Sequence, residues 1–124
     1  MKHKLSILLS LACLLLALSG CDQPSLIILE IRGSYEVPEE INALEVIVVE
    51  PDELEELARI PLNLTAEHQL PIEISLEPSE ETPTALETEV RASLDGVPVA
   101  ASKAIHDWQS GKISRVKLPE LEPL

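Results

Sequence analysis

Leu86-Glu87-Thr88-Glu89-Val90-Arg91-Ala92-Ser93-Leu94, then Asp95-Gly96, then Val97-Pro98-Val99-Ala100-Ala101, is the stretch whose reading decides the fold. Leu86, Thr88, Val90, Ala92 and Leu94 alternate with Glu87, Glu89, Arg91 and Ser93, the period of two that sets one face of a strand in a core and the other in water. Asp-Gly between two such runs predicts a two-residue hairpin, because a type I′ turn needs positive φ at both central positions. The predicted register pairs Leu94 with Val97, Ala92 with Val99 and Val90 with Ala101, which gathers small and apolar residues on one face. In that register Pro98, which has no N–H to donate, falls in a pair that exchanges no hydrogen bonds. No further strand is therefore expected beside the hairpin tip.

The same alternation extends to both sides of the hairpin. Residues 25–32 read as a strand with Ile27, Leu29 and Ile31 on one face, and Ala43–Val49 is a β-branched-rich run expected to be central. Residues 51–57 read as a loop or a short helical turn, since one or two turns of helix are marginal alone. Ala58, Ile60, Leu62 and Leu64 alternate with Arg59, Pro61 and Asn63, and Pro61 predicts an edge strand or a bulge. Leu70, Ile72, Ile74 and Leu76 alternate with Pro71, Glu73, Ser75 and Glu77, residues 108–111 read as a turn, and residues 112–118 read as the last strand with Val116 and Leu118 inward. The expected fold is all-β: an antiparallel seven-stranded β-sandwich over residues 26–118, followed by a tail at 119–124. This pattern resembles immunoglobulin, fibronectin type III and prealbumin-like domains, and the fold expected from the likeness is immunoglobulin-like. The buried tryptophan and disulfide of antibody domains are absent from the pattern.

Lys2, His3 and Lys4 precede an apolar run over residues 5–18 broken only by serines, which fits a secretory leader. The run is too short to span a bilayer, which takes about 20 apolar residues. It closes on Leu18-Ser19-Gly20-Cys21. That quartet resembles the lipobox of bacterial lipoproteins, and the resemblance implies cleavage between Gly20 and Cys21, acylation of Cys21 and attachment to a membrane on its periplasmic face. Residues 1–20 are then leader and residues 21–25 a lipidated tether. In the same likeness Asp22 resembles a signal for inner-membrane retention, with the outer membrane as the alternative. Cys13 falls inside the leader, so the mature chain is expected to have no disulfide.

Removing the leader leaves seven Lys and Arg against 22 Asp and Glu, a formal charge of −15. Nucleic acid is thereby excluded as a partner, since phosphate binding needs clustered Lys and Arg, whereas the same field favours a cationic partner, such as an envelope protein with a cationic surface, or divalent ions, the simpler reading being solubility. Tyr35 and Trp108 are the only aromatics, too few for the stacking platforms that bind bases.

The densest chemistry is Glu50, Asp52, Glu53, Glu55 and Glu56. Oxygen-rich loops of this kind hold calcium in some proteins, but the spacing is not that of an EF-hand and the simpler reading is a solvated charge run. Glu87 and Glu89 share a strand face at a separation reminiscent of glycosidase carboxylates, without the cleft that chemistry needs. His68 lies in a polar turn, and His106 and Asp107, adjacent on a strand, point to opposite faces and do not form a triad. Asn63-Leu64-Thr65 matches a glycosylation pattern that the strand explains as an outward Asn63. No nucleophile elbow, zinc-protease motif or phosphate loop occurs. The expected function is therefore a membrane-anchored, non-enzymatic interaction or structural module without a cofactor, the alternative being a periplasmic module for a small ligand or a divalent cation such as calcium.

Overall fold

Alternation with period two makes strands, and strands that are apolar on one face must bury it against a second layer. A computed structural model describes residues 24–124 and, as backbone, residues 5–7. The strands are β1 (Leu5–Ile7), β2 (Leu26–Ile31), β3 (Ala43–Val49), β4 (Glu56–Asn63), β5 (Ile72–Pro78), β6 (Ala85–Leu94), β7 (Val97–Asp107), β8 (Ile113–Lys117) and β9 (Glu122–Pro123). β1 lies in the expected leader and pairs along β5 at Leu76–Pro78. The other eight strands form two sheets, ordered β5-β2-β8 and β4-β3-β6-β7-β9.

Four expectations are corrected here. Among the described residues there are eight strands after the expected leader instead of seven, because β9 adds to β7 through Ala100 and Ala101. Two residues are too few to show a period, and what recruits them is tertiary: Leu121 is buried, its N–H donates to Arg32 O at 2.9 Å, and Ser102 Oγ donates to Pro119 O at 2.6 Å. The residues read as a tail are thus held on the domain. Second, the sandwich is not wholly antiparallel, since β2 runs parallel to β8. Third, the order is not the immunoglobulin one, in which the first strand lies beside the second. Here the first strand of the sandwich, β2, lies between β5 and β8, while β3 lies between β4 and β6.

The fourth correction concerns the hairpin. Leu94 pairs with Val97 as expected, but a bulge at Ala92/Ser93 shifts the ladder, so Ala92 meets Ala100 and Val90 meets Ser102. The extra residue is Val99, whose carbonyl accepts the Leu124 N–H at 3.1 Å. A bulge leaves one residue unpaired and bends its strand, which turns the tip, Val97 and Pro98, out into solvent. Among the described residues no strand flanks those two, and β9 meets β7 only from Ala100 onward.

Ile27, Leu29 and Ile31 of β2 and Leu76 of β5 face Val46 and Val48 of β3 and Leu86 and Val90 of β6, each with no exposed surface. Val116 packs at the margin of this core and Leu118 inside it, as expected. Trp108, read as part of a turn, occupies that turn but is buried, its indole N–H donating to Pro83 O at 2.7 Å. It closes one end of the core. The other end is clamped at the hairpin, where Asn42 Nδ2 donates to Asp95 Oδ1 at 2.9 Å and the Asp95 N–H donates to Asn42 Oδ1 at 3.0 Å.

Gly96 has φ 83°, and a Cβ built there would meet nothing within 4 Å. Gly96→Ala should therefore lower stability by about 1 kcal/mol through backbone strain alone, and Leu29→Ala by about 2–5 kcal/mol through a cavity. Urea denaturation of the two variants beside the wild type checks the ranking, and a Gly96→Ala midpoint equal to that of wild type contradicts the strained turn.

Candidate functional site

Gly20 and Cys21, the expected cleavage and lipidation positions, lie outside the described residues. Pro24 and Ser25 lead directly into β2, and Ser25 Oγ accepts the Gly111 N–H at 2.7 Å. Register then determines what else lies at this entry end. Leu26 is level with Ile113 at the start of β8, Ala85 is level with Asp107 at the end of β7, and Val49 is level with Glu87 near the start of β6. The loop after β3, the loop between β5 and β6 and the Trp108 turn therefore share the end at which β2 begins, where the expected tether would enter. Glu50, Asp52, Glu53, Glu55, Glu56, Glu80 and Glu81 make that end strongly acidic.

The loop after β3 is a tight turn and not a helix. The Glu50 N–H donates to Glu55 O at 2.8 Å and the Leu54 N–H to Glu50 O at 2.7 Å. The Glu50 carboxylate accepts the amides of Asp52 and Glu53, so it is turned onto its own backbone. Leu54 has φ 59° and an exposed side chain. Glu56 instead meets Arg59 at 2.7 Å, and the same guanidinium reaches Glu45 at 2.8 Å. Hydrogen bonding from Arg59 holds the Glu56 carboxyl below its usual range, and the two carboxylates raise Arg59 further. Of the five carboxylates singled out for calcium, Glu50 is thus engaged by its own backbone and Glu56 by Arg59. Among the described residues no group of three or more His, Cys, Asp or Glu is arranged to hold a metal ion.

The outer face of the five-stranded sheet is a lattice of opposite charges. Glu87 meets Lys103 at 3.6 Å and Glu89 meets Arg91 at 3.2 Å, so each carboxylate of the β6 pair has its own cation. Pro61 lies on β4, which is an edge strand as expected. Pro61 and Pro98, far apart in sequence, line one shallow open depression of about 320 Å³ with Ala43, Glu45, Asn63 and Arg91. Asn63 is exposed, as its strand reading requires. His68 is exposed in its turn, where its Nδ1 accepts the Thr65 N–H at 2.9 Å.

His106 faces the interior and Asp107 is exposed on the other side of β7. His106 Nε2 lies 2.7 Å from Thr88 Oγ1, and its Nδ1 is buried with no hydrogen-bond partner. Burial lowers its pKa, against a weaker pull upward from Asp107. This polar pair inside the sandwich was not singled out from the sequence. Its only signal is parity: Thr88 falls on the apolar face of β6, and His106 is in step with Ala100, Ser102 and Ala104 on β7.

No family model, curated protein or solved structure matches this chain. Among the described residues no helix is long and apolar enough to cross a membrane.

In the unfolded chain His106 takes up a proton near its ordinary value of about 6.5, whereas the fold resists protonation because the buried Nδ1 has no acceptor. The stability tied to His106 is thus complete above that pH and declines as pH falls through 6.5 toward the lower folded value. Urea midpoints between pH 7.5 and 5.5 should drop more steeply for wild type than for His106→Gln. Parallel curves contradict the assignment.

Proposed function

We propose that this chain is a membrane-anchored, non-enzymatic lipoprotein of the bacterial cell envelope, acting as an interaction or structural module through the edges of its sheets. The observation that carries the reading is how little chain separates the anchor from the fold. Four residues, 22–25, lie between Cys21 and the first residue of β2, and fully extended they reach roughly 14 Å. An acylated Cys21 therefore holds the sandwich directly above the bilayer, since two or more acyl chains give a stable attachment where one is marginal. The acidic loops at the tether end are repelled by anionic headgroups. The domain accordingly stands on its tether with strands upright and sheet edges facing sideways, toward other proteins of the same membrane.

For the finer class of sandwich we favour the prealbumin-like type over the immunoglobulin type. The support is the pairing of the second strand of the domain, β3, with β4 and β6 and not with β2, against the immunoglobulin arrangement. For sorting, Asp22 supports the inner membrane.

Expression of the wild type beside Cys21→Ser in a bacterium with lipoprotein processing tests the anchor. The wild type should fractionate with membranes and carry diacylglyceryl mass on Cys21, and the variant should leave the membrane. Soluble, unlipidated protein in both cases overturns the reading.

A further inference from the structure

The two edges of the smaller sheet carry opposite charges on one face and in matching register. The Leu26 N–H donates to Lys112 O and the Leu118 N–H to Glu30 O, each at 3.1 Å. Even-numbered residues of β8 thus turn their backbone groups toward β2, and Ile113, Arg115 and Lys117 turn theirs outward. Across the sheet, Ile27, Leu29 and Ile31 pair with Leu76, Ile74 and Ile72, which leaves the backbone groups of Glu73, Ser75 and Glu77 for the outer edge of β5. Both sets of side chains lie on the face away from the core, because β2 pairs Ile28 with Ser75 and Arg115, and Glu30 with Glu73 and Lys117.

We propose that mature copies of this chain associate edge to edge, β5 of one copy pairing antiparallel with β8 of the next. A copy displaced sideways in the plane of the sheet keeps the levels set by β2, so Glu73 falls opposite Lys117 and Ser75 opposite Arg115 of the neighbour. Glu77 is then diagonal to Arg115. Cross-strand pairs of opposite charge stabilise such a ladder and like pairs oppose it. The symmetric alternatives centred on the middle of each strand are disfavoured on that ground, since β5 against β5 then sets Glu73 opposite Glu77, and β8 against β8 sets Arg115 opposite itself. Charged edges normally protect a sheet from pairing, and here the protection is selective because the signs differ. Within one copy Arg115 reaches Glu73 only at 3.7 Å, and Lys117 has no ion pair among the described residues.

The β5 edge accepts a strand in this sense, since β1 already runs antiparallel along Leu76–Pro78. The inference rests on the proposed function, because release of the leader at Cys21 is what vacates that edge. Anchoring supplies the concentration: a five-residue ladder is weak in solution, and confinement of both copies to one membrane raises their effective concentration. Sideways displacement also leaves both tethers at the same end. The native twist of roughly 20–25° per strand turns each successive copy, so short runs form on a flat membrane and not long filaments.

The test uses the full chain expressed in a bacterium that processes lipoproteins, with Glu73→Cys and Lys117→Cys made singly, expressed alone or together, and treated in intact membranes with a short bis-maleimide. The expected result is a covalent dimer when the two single variants are co-expressed, and at least about fivefold less product for either single variant alone. In co-capture of differently tagged copies, Lys117→Glu should reduce association about fivefold, by the size of cross-strand charge effects, and Glu73→Lys in the same chain should restore it. Intact mass of the same membranes separates the two readings. Leader removed with no dimer, with equal product from either single variant, or with Glu73→Cys joined only to another protein overturns self-association alone. Leader retained overturns both.

Discussion

The whole molecule depends on one dry contact, between Ile27, Leu29 and Ile31 of β2 and the valines and leucines of β3 and β6 that face them. No phenylalanine contributes, and the single tryptophan sits at the end of the core instead of its centre. Aliphatic side chains of similar size pack between two pleated sheets without special geometry, and burying each fully is worth about 1.5–3 kcal/mol. With no disulfide expected in the mature chain, that contact has to outweigh the ordering of the backbone by itself.

Once the inner faces are apolar, the outer faces inherit nearly all the charge, and the molecule manages it unevenly. On the five-stranded sheet Arg59, Arg91 and Lys103 meet four carboxylates, those of Glu45, Glu56, Glu87 and Glu89, so most of the charge on that face is paired. Many of the remaining acids lie in loops, Glu50, Asp52, Glu53, Glu55, Glu80 and Glu81 at the end where β2 begins, and Glu36, Glu39, Glu40, Glu67 and Asp95 at the opposite end. On the smaller sheet the charges separate instead, acids on β5 and bases on β8. The charge of one face is thus largely paired, whereas the other has two edges of opposite sign.

His106 and Thr88 show the same logic inside the protein. A histidine among alanines and leucines is tolerated because one ring nitrogen meets a hydroxyl, and the unpartnered Nδ1 favours the neutral ring.

Much of this was legible in the residues themselves. The period of two located nearly every strand, Pro61 marked an edge, Asp95-Gly96 marked the hairpin, and the inward set from Ile27 to Leu118 followed from parity. These are local properties, set by side-chain direction and by the φ demanded of a turn, and a linear text carries them. Strand order, the parallel pairing, the bulge that moved Ala92 from Val99 to Ala100, and β9 were decided by the tertiary structure alone. Each depends on which distant carbonyl satisfies which N–H, as when Leu121 bonds Arg32 and Leu124 bonds Val99. The candidate site divided in the same way. The quartet that resembles a lipobox and the acidic run stand in contiguous residues, whereas the convergence of Pro61 with Pro98, the Thr88–His106 pair and the opposed charges of β5 and β8 exist only once the sheets have closed.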